Sequence, residues 1–226
     1  MQVPSTQKQR MKNLLIINAS PRGNRSNSRC LTELFGQKWL ENNPDYTIDY
    51  REVGQEAIPH VSEAWIAAAY KPAVLRTEED HQALKVSNQL IAELKKADVI
   101  VLGSPMYNWS IPSALKAYLD QVIRVNETIE ISTADPKNPY VGLLKNKRLY
   151  LLLSRGNGGY GNGEYYEHMN FQSAYLKTVF NIMGIDDINE IALNGEAFGG
   201  ETFEESIKSV HFQIDQMAKN EEIISF

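Results

Sequence analysis

The sequence predicts an α/β protein, a five-stranded parallel sheet with helices on both faces. Short apolar runs alternate along the chain with segments of helical periodicity, the order that a parallel sheet requires. Most of these runs are continuous rather than alternating, as in strands buried on both faces. No internal repeat, low-complexity tract or Pro/Gly/Ser linker divides the 226 residues. A polar leader at 1–10 is therefore expected to precede a single domain over 11–226.

The first strand is read at Leu14, Leu15, Ile16 and Ile17, and the third at Val99, Ile100, Val101 and Leu102. The fourth and fifth fall at 149–153 and 188–193, while the weaker alternation over 46–53 suits an edge strand. Helices occupy the gaps. Leu84, Leu90, Ile91 and Leu94 mark one apolar stripe, and Ile111, Leu115, Tyr118, Leu119 and Val122 mark another. In the last helix Phe203, Ile207, Val210, Ile214 and Met217 recur at spacings of three and four, with Thr202 and Glu205 placed as a capping box. Residues 54–79 and 127–147 read as longer, partly irregular excursions, and the second is expected to border the active site.

Composition narrows the function. A net charge of −5 provides no field for nucleic acid or an anionic membrane, so an anionic ligand must be captured locally. Cys30 is the only cysteine, which excludes an internal disulfide and a multi-thiolate metal site and fits a cytoplasmic protein. Cys30 itself reads as a small buried helix residue. The four histidines lack metal-ligand spacing, so no metal is expected, and no catalytic triad or zinc-protease motif is present.

In an open parallel sheet the ligand lies beyond the carboxyl ends of the strands, where strand order reverses. Three loops fall there. The first carries Ser20, Arg22, Ser26, Asn27 and Ser28 into a helix, offering hydroxyls and free N–H groups to an anion. It is not a Walker loop, and Cys30 lies too far along for a cysteine phosphatase. The alternative is a solvated loop in which a serine only caps the helix. The second loop, with Pro105, Met106, Tyr107, Asn108 and Trp109, is stiff and aromatic and suits a flat ring. Its alternative is that Met106, Tyr107 and Trp109 plug the core. The third loop runs through Ser154, Arg155, Gly156, Asn157, Gly158 and Tyr160. Its Gly156-x-Gly158-x-x-Gly161 match does not open the first βα unit, which argues against a dinucleotide fingerprint. The alternative here is a mobile surface loop.

Taken together, the three loops resemble the FMN-dependent NADH:quinone oxidoreductase and azoreductase family, which has a flavodoxin-like fold. Pro105-Met106-Tyr107-Asn108-Trp109 resembles that family's Pro-Met-Tyr-Asn-Phe segment, and Ser154-Arg155-Gly156 resembles its Ser-Arg-Gly-Gly turn. Trp109 and Asn157 depart from the pattern, and Tyr160 stands near where some members have histidine. The resemblance implies that Ser20, Arg22, Ser26, Asn27 and Ser28 hold the FMN phosphate. Pro105, Met106, Tyr107, Asn108, Trp109, Ser154, Arg155, Gly156 and Asn157 would hold the ring, with Gly158 and Tyr160 toward the substrate. It further implies NADH or NADPH as donor, a quinone or azo acceptor reduced by two electrons in ping-pong order, and a homodimer. No protein acid or base is assigned, because the cofactor carries the chemistry. The rival readings are a flavodoxin-like electron carrier and a domain that has lost its cofactor.

Overall fold

The computed structural model describes residues 11–219, so the leader read at 1–10 lies outside the described residues. The first apolar run forms β1 (Lys12–Asn18), followed by α1 (Asn27–Asn42) and β2 (Tyr46–Arg51). The first excursion contains α2 (Glu63–Tyr70) and leads into α3 (Glu78–Ala83) and α4 (Lys85–Lys96). Next come β3 (Val99–Pro105), α5 (Ser113–Val122) and a short hairpin, β4 (Ile129–Ile131) and β5 (Tyr140–Gly142). The chain continues with β6 (Arg148–Arg155), α6 (Phe171–Ile182), β7 (Asp187–Asn194) and α7 (Gly200–Lys219).

The five long strands are parallel in the order β2-β1-β3-β6-β7, which bears out the expected sheet and places the alternating segment at an edge. Successive side chains of a strand point to opposite faces. Leu15, Ile17, Ile100, Leu102, Leu149, Leu151 and Leu153 therefore share one core with α4, α5 and α6. Leu14, Ile16, Val99, Val101, Tyr150 and Leu152 share the other with Leu31, Phe35 and Trp39 of α1 and Val210 and Ile214 of α7. Coverage of both faces explains the continuous apolar runs.

Four expectations are corrected. The last helix begins at Gly200, so Thr202 lies inside its first turn and is not the cap of a capping box. Pro112, which by its place at the end of the second loop is expected to open the next helix in its first turn, occupies the N-cap of α5 and not its first helical position. Cys30 is exposed, because the buried stripe of α1 runs through Leu31, Phe35 and Trp39 and turns Cys30 away from the sheet. The 127–147 excursion joins the end of α5 to the start of β6, at the end of the sheet opposite the three loops. There its backbone packs on the turn that ends α6: Leu144 N–H donates to the Met183 carbonyl at 2.8 Å, and Gly142 lies directly on Gly184.

Candidate functional site

The three loops leave the carboxyl ends of β1, β3 and β6, which are adjacent in the sheet. β1 has β2 on one side and β3 on the other, so strand order reverses there. The loop roots are laced together. Ala19 N–H donates to the Gly103 carbonyl at 2.9 Å, and Met106 N–H donates to the Ser154 carbonyl at 2.8 Å.

The first loop forms a cradle of buried hydroxyls. Ser20, Ser26 and Ser28 are all buried, with Ser26 Oγ and Ser28 Oγ 3.1 Å apart. Ser26 caps α1 by accepting from Arg29 N–H at 3.3 Å, and Ser20 Oγ accepts from Arg22 N–H at 3.3 Å. The next N–H groups, on half-buried Asn27 and on Ser28, open the helix, where α-helical geometry provides no intrahelical acceptor. Hydroxyls, open N–H groups and the positive end of a helix dipole form a donor set that fits a phosphate. Arg22 is exposed and reaches across to Glu196, its Nη1 lying 3.0 Å from Oε1.

A second layer fixes the cradle. Asn18 Nδ2 donates to Glu52 Oε1 at 2.9 Å and Asn18 Oδ1 accepts from Thr32 Oγ1 at 2.7 Å, while Arg29 Nη1 donates to Glu52 at 3.0 Å. Burial pushes the Glu52 carboxyl up, but its hydrogen bonds from Arg29 and Asn18 hold it below the usual glutamate range. Gly103 lets α1 approach β3, since a Cβ there would lie 2.5 Å from Thr32 Cγ2 and 2.9 Å from the Ser28 carbonyl. Gly54 likewise packs against the Ser20 backbone.

The second loop is a tight reversal. Tyr107 and Ser110 exchange backbone hydrogen bonds of 2.9 and 3.0 Å around Asn108 and Trp109, whose φ values are +48° and +64°. This is the arrangement of a primed turn, although neither residue is glycine. Pro105 is buried, Met106 and Tyr107 are half-buried, and Asn108 and Trp109 are exposed. The aromatic loop therefore does not plug the core; it presents an edge and a wall to the site end of the sheet.

The third loop behaves differently at each residue. Gly156 is exposed, Asn157 and Gly158 are half-buried, and Asn157 Oδ1 accepts from Gly158 N–H at 2.8 Å. Ser154 is buried at the root. Arg155 points away from the loop surface, into the layer beneath, where its Nη2 lies 3.0 Å from Glu190. Tyr160 is only 7% exposed, with its ring 5.8 Å from that of Tyr166 and 5.9 Å from the Arg155 guanidinium.

The comparisons with known proteins agree with this architecture. A family model described as flavodoxin-like fold matches residues 12–217. FMN-dependent NADH:quinone oxidoreductase 1 of Trichormus variabilis is 40% identical over 206 residues, covering 91% of this chain and 95% of that protein. The chain belongs to the FMN-dependent NADH:quinone oxidoreductase family. FMN-dependent NAD(P)H:quinone oxidoreductase 1 of Pseudomonas aeruginosa is 37% identical over 211 residues, covering 93% of this chain and all of that protein (100%). The solved FMN-dependent NADH-azoreductase of Bacillus anthracis in complex with FMN superposes with a TM-score of 0.80 at 25% identity, covering 92% of this chain and 98% of that one.

Within this oxidoreductase family framework, the residues that sequence reasoning missed are the supports. Gly103 was recognisable as a lone glycine inside an apolar strand, a pattern that marks a close backbone approach. Asn18, Glu52 and Gly54 carried no local signal, because their roles depend on pairings between β1, α1 and the end of β2.

Proposed function

We propose that this protein is an FMN-dependent NADH:quinone oxidoreductase that also reduces azo compounds. The single observation that carries the reading is the buried Ser20, Ser26 and Ser28 cradle at the α1 N-terminus, set beside the aromatic loop at the point where strand order reverses. When bound, FMN supplies two-electron hydride chemistry. The chain's own residues hold and orient it. Hydroxyls and N–H groups of the first loop take the phosphate, the backbones after β3 and β6 take the edges of the ring, and Trp109 walls the pocket. NADH, or NADPH, and then the acceptor would enter the same pocket in turn, which is ping-pong order. No side chain is assigned to acid or base work.

A homodimer is part of this reading. Trp109, Tyr165 and Phe171 remain exposed on or beside the loops after β3 and β6, and a second copy covering them would complete the pocket wall. A cytoplasmic location accords with a single, exposed cysteine. Among the described residues no helix is long and apolar enough to cross a membrane. The deciding experiment is an anaerobic visible spectrum of protein incubated with FMN and desalted, before and after stoichiometric NADH. Retained flavin absorbance that bleaches with NADH and returns with quinone is the expected outcome. Retained flavin that NADH cannot bleach points to an electron carrier, and loss of flavin on desalting defeats the reading.

A further inference from the structure

Beneath the second and third loops runs a buried polar bridge whose central residue belongs to neither. Gln172, the second residue of α6, is fully buried. Its Nε2 donates to the Ser104 carbonyl at 3.1 Å, and its Oε1 accepts from Arg155 Nε at 3.1 Å. The bridge continues on the far side, where Arg155 Nη2 donates to Ser173 Oγ at 2.6 Å and to Glu190 Oε1 at 3.0 Å. The Ser173 hydroxyl donates to that same Glu190 oxygen at 2.6 Å.

The position of this bridge is specific. The Ser104 carbonyl belongs to the peptide that enters Pro105, from which the second loop springs. Arg155 is the last residue of β6, from which the third loop springs. Pro105 has no N–H to add to the ladder, and beyond it Met106 N–H donates to the Ser154 carbonyl, so the two loop roots are still joined where the strands end. One side-chain amide therefore couples the tilt of the Ser104 peptide to the rotamer of Arg155. Gln172 is suited to this because it donates and accepts from one planar group. Burial pushes the Arg155 guanidinium below its ordinary range, yet arginine remains charged, so its donors need fixed acceptors.

We propose that Gln172 is a positioning residue for the flavin, fixing the spacing of the second and third loops without touching the cofactor. This rests on the FMN-binding reading above. Two variants test it. Gln172→Leu has similar bulk and removes both hydrogen bonds, whereas Gln172→Glu keeps an acceptor for Arg155 but offers the Ser104 carbonyl no donor when ionised. The measurements are the FMN Kd by flavin fluorescence, the visible band of the bound flavin, and the Tm of the FMN-free protein.

The expected result is FMN binding weakened about tenfold or more in both variants, because each breaks the side-chain hydrogen bond that ties the Ser104 peptide to Arg155. The band of the bound flavin is also displaced, and remains so at saturating FMN. A lowered Tm with FMN affinity within about twofold of wild type and an unmoved band overturns the proposal, leaving Gln172 a purely structural residue. If Gln172→Leu does not fold, Gln172→Glu decides by the same readouts. Wild-type protein that retains no FMN overturns the functional reading and this proposal together, whereas tight wild-type binding with indifferent variants overturns this proposal alone.

Discussion

Trp109 is the residue whose conformation is hardest to explain by packing. It occupies the second left-handed position of the turn after β3, and the residue is 48% exposed. A non-glycine residue held there costs about 1–2 kcal/mol, and the exposed indole recovers little of it through burial. Asn108 tolerates the same region through its short polar side chain, but a tryptophan does not. Strain of this kind persists where a ligand uses it. Replacing Trp109 by glycine removes the strain and the wall together. The FMN-free Trp109→Gly protein should unfold within about 1 kcal/mol of wild type, since relief of strain offsets the added freedom of the unfolded chain. Its FMN Kd should rise about tenfold, or its acceptor preference should change, as measured by titration and by rates with a quinone and an azo dye. An unchanged Kd with an unchanged acceptor profile would remove Trp109 from the pocket.

Two glycines separate the working end of the sheet from the opposite one at the level of packed elements. Gly103 lets α1 rest on β3 beneath the serine cradle, and Gly142 lets the β4-β5 hairpin pack on the turn after α6 at Gly184. Each is replaced by alanine only if backbone moves, at about 1–3 kcal/mol. Gly103→Ala should therefore lower both stability and FMN affinity, while Gly142→Ala should lower stability alone, with Tm and FMN Kd measured on the same samples. Equal losses of FMN affinity in the two variants would contradict the placement of the hairpin. The junction of β1, α1 and β2 also carries a pH dependence. Glu52 is held below the usual glutamate range in the folded protein, against burial, by Arg29 and Asn18. Its contribution is thus fully present above the unfolded value of about 4.3 and is lost as pH falls through the lower folded value. Urea unfolding of wild type and Glu52→Gln should show a difference of about 1 kcal/mol at neutral pH that shrinks below about pH 4. A difference that persists unchanged into acid would assign the loss to packing instead.

For the molecule as a whole, what was legible depended on how far apart the deciding residues lie. The buried strands were readable because burial on both faces leaves continuous apolar runs such as Val99, Ile100, Val101 and Leu102. The last helix was readable from Val210 and Ile214, which do face the sheet, although its start at Gly200 was not. The inward turn of Arg155 was in principle available from strand alternation, since it follows Leu149, Leu151 and Leu153 on the face that packs against α6. Its partners Gln172 and Glu190 were not, because they come from two later elements. The left-handed backbone of Trp109 had no signal either, as the turn contains no glycine. The net charge of −5, by contrast, already constrains how the site captures an anion. The cradle relies on neutral hydroxyls and N–H groups, and Arg22 is paired with Glu196. Those donors act at contact distance, where salt screens little, while the long-range field of an acidic protein opposes a phosphate and is itself screened. Raising salt from about 0.05 to about 0.5 M should therefore leave the FMN Kd within about threefold or tighten it. A steep weakening with salt, read by fluorescence titration, would mean that exposed cations such as Arg25 hold the phosphate and that the serine cradle is secondary.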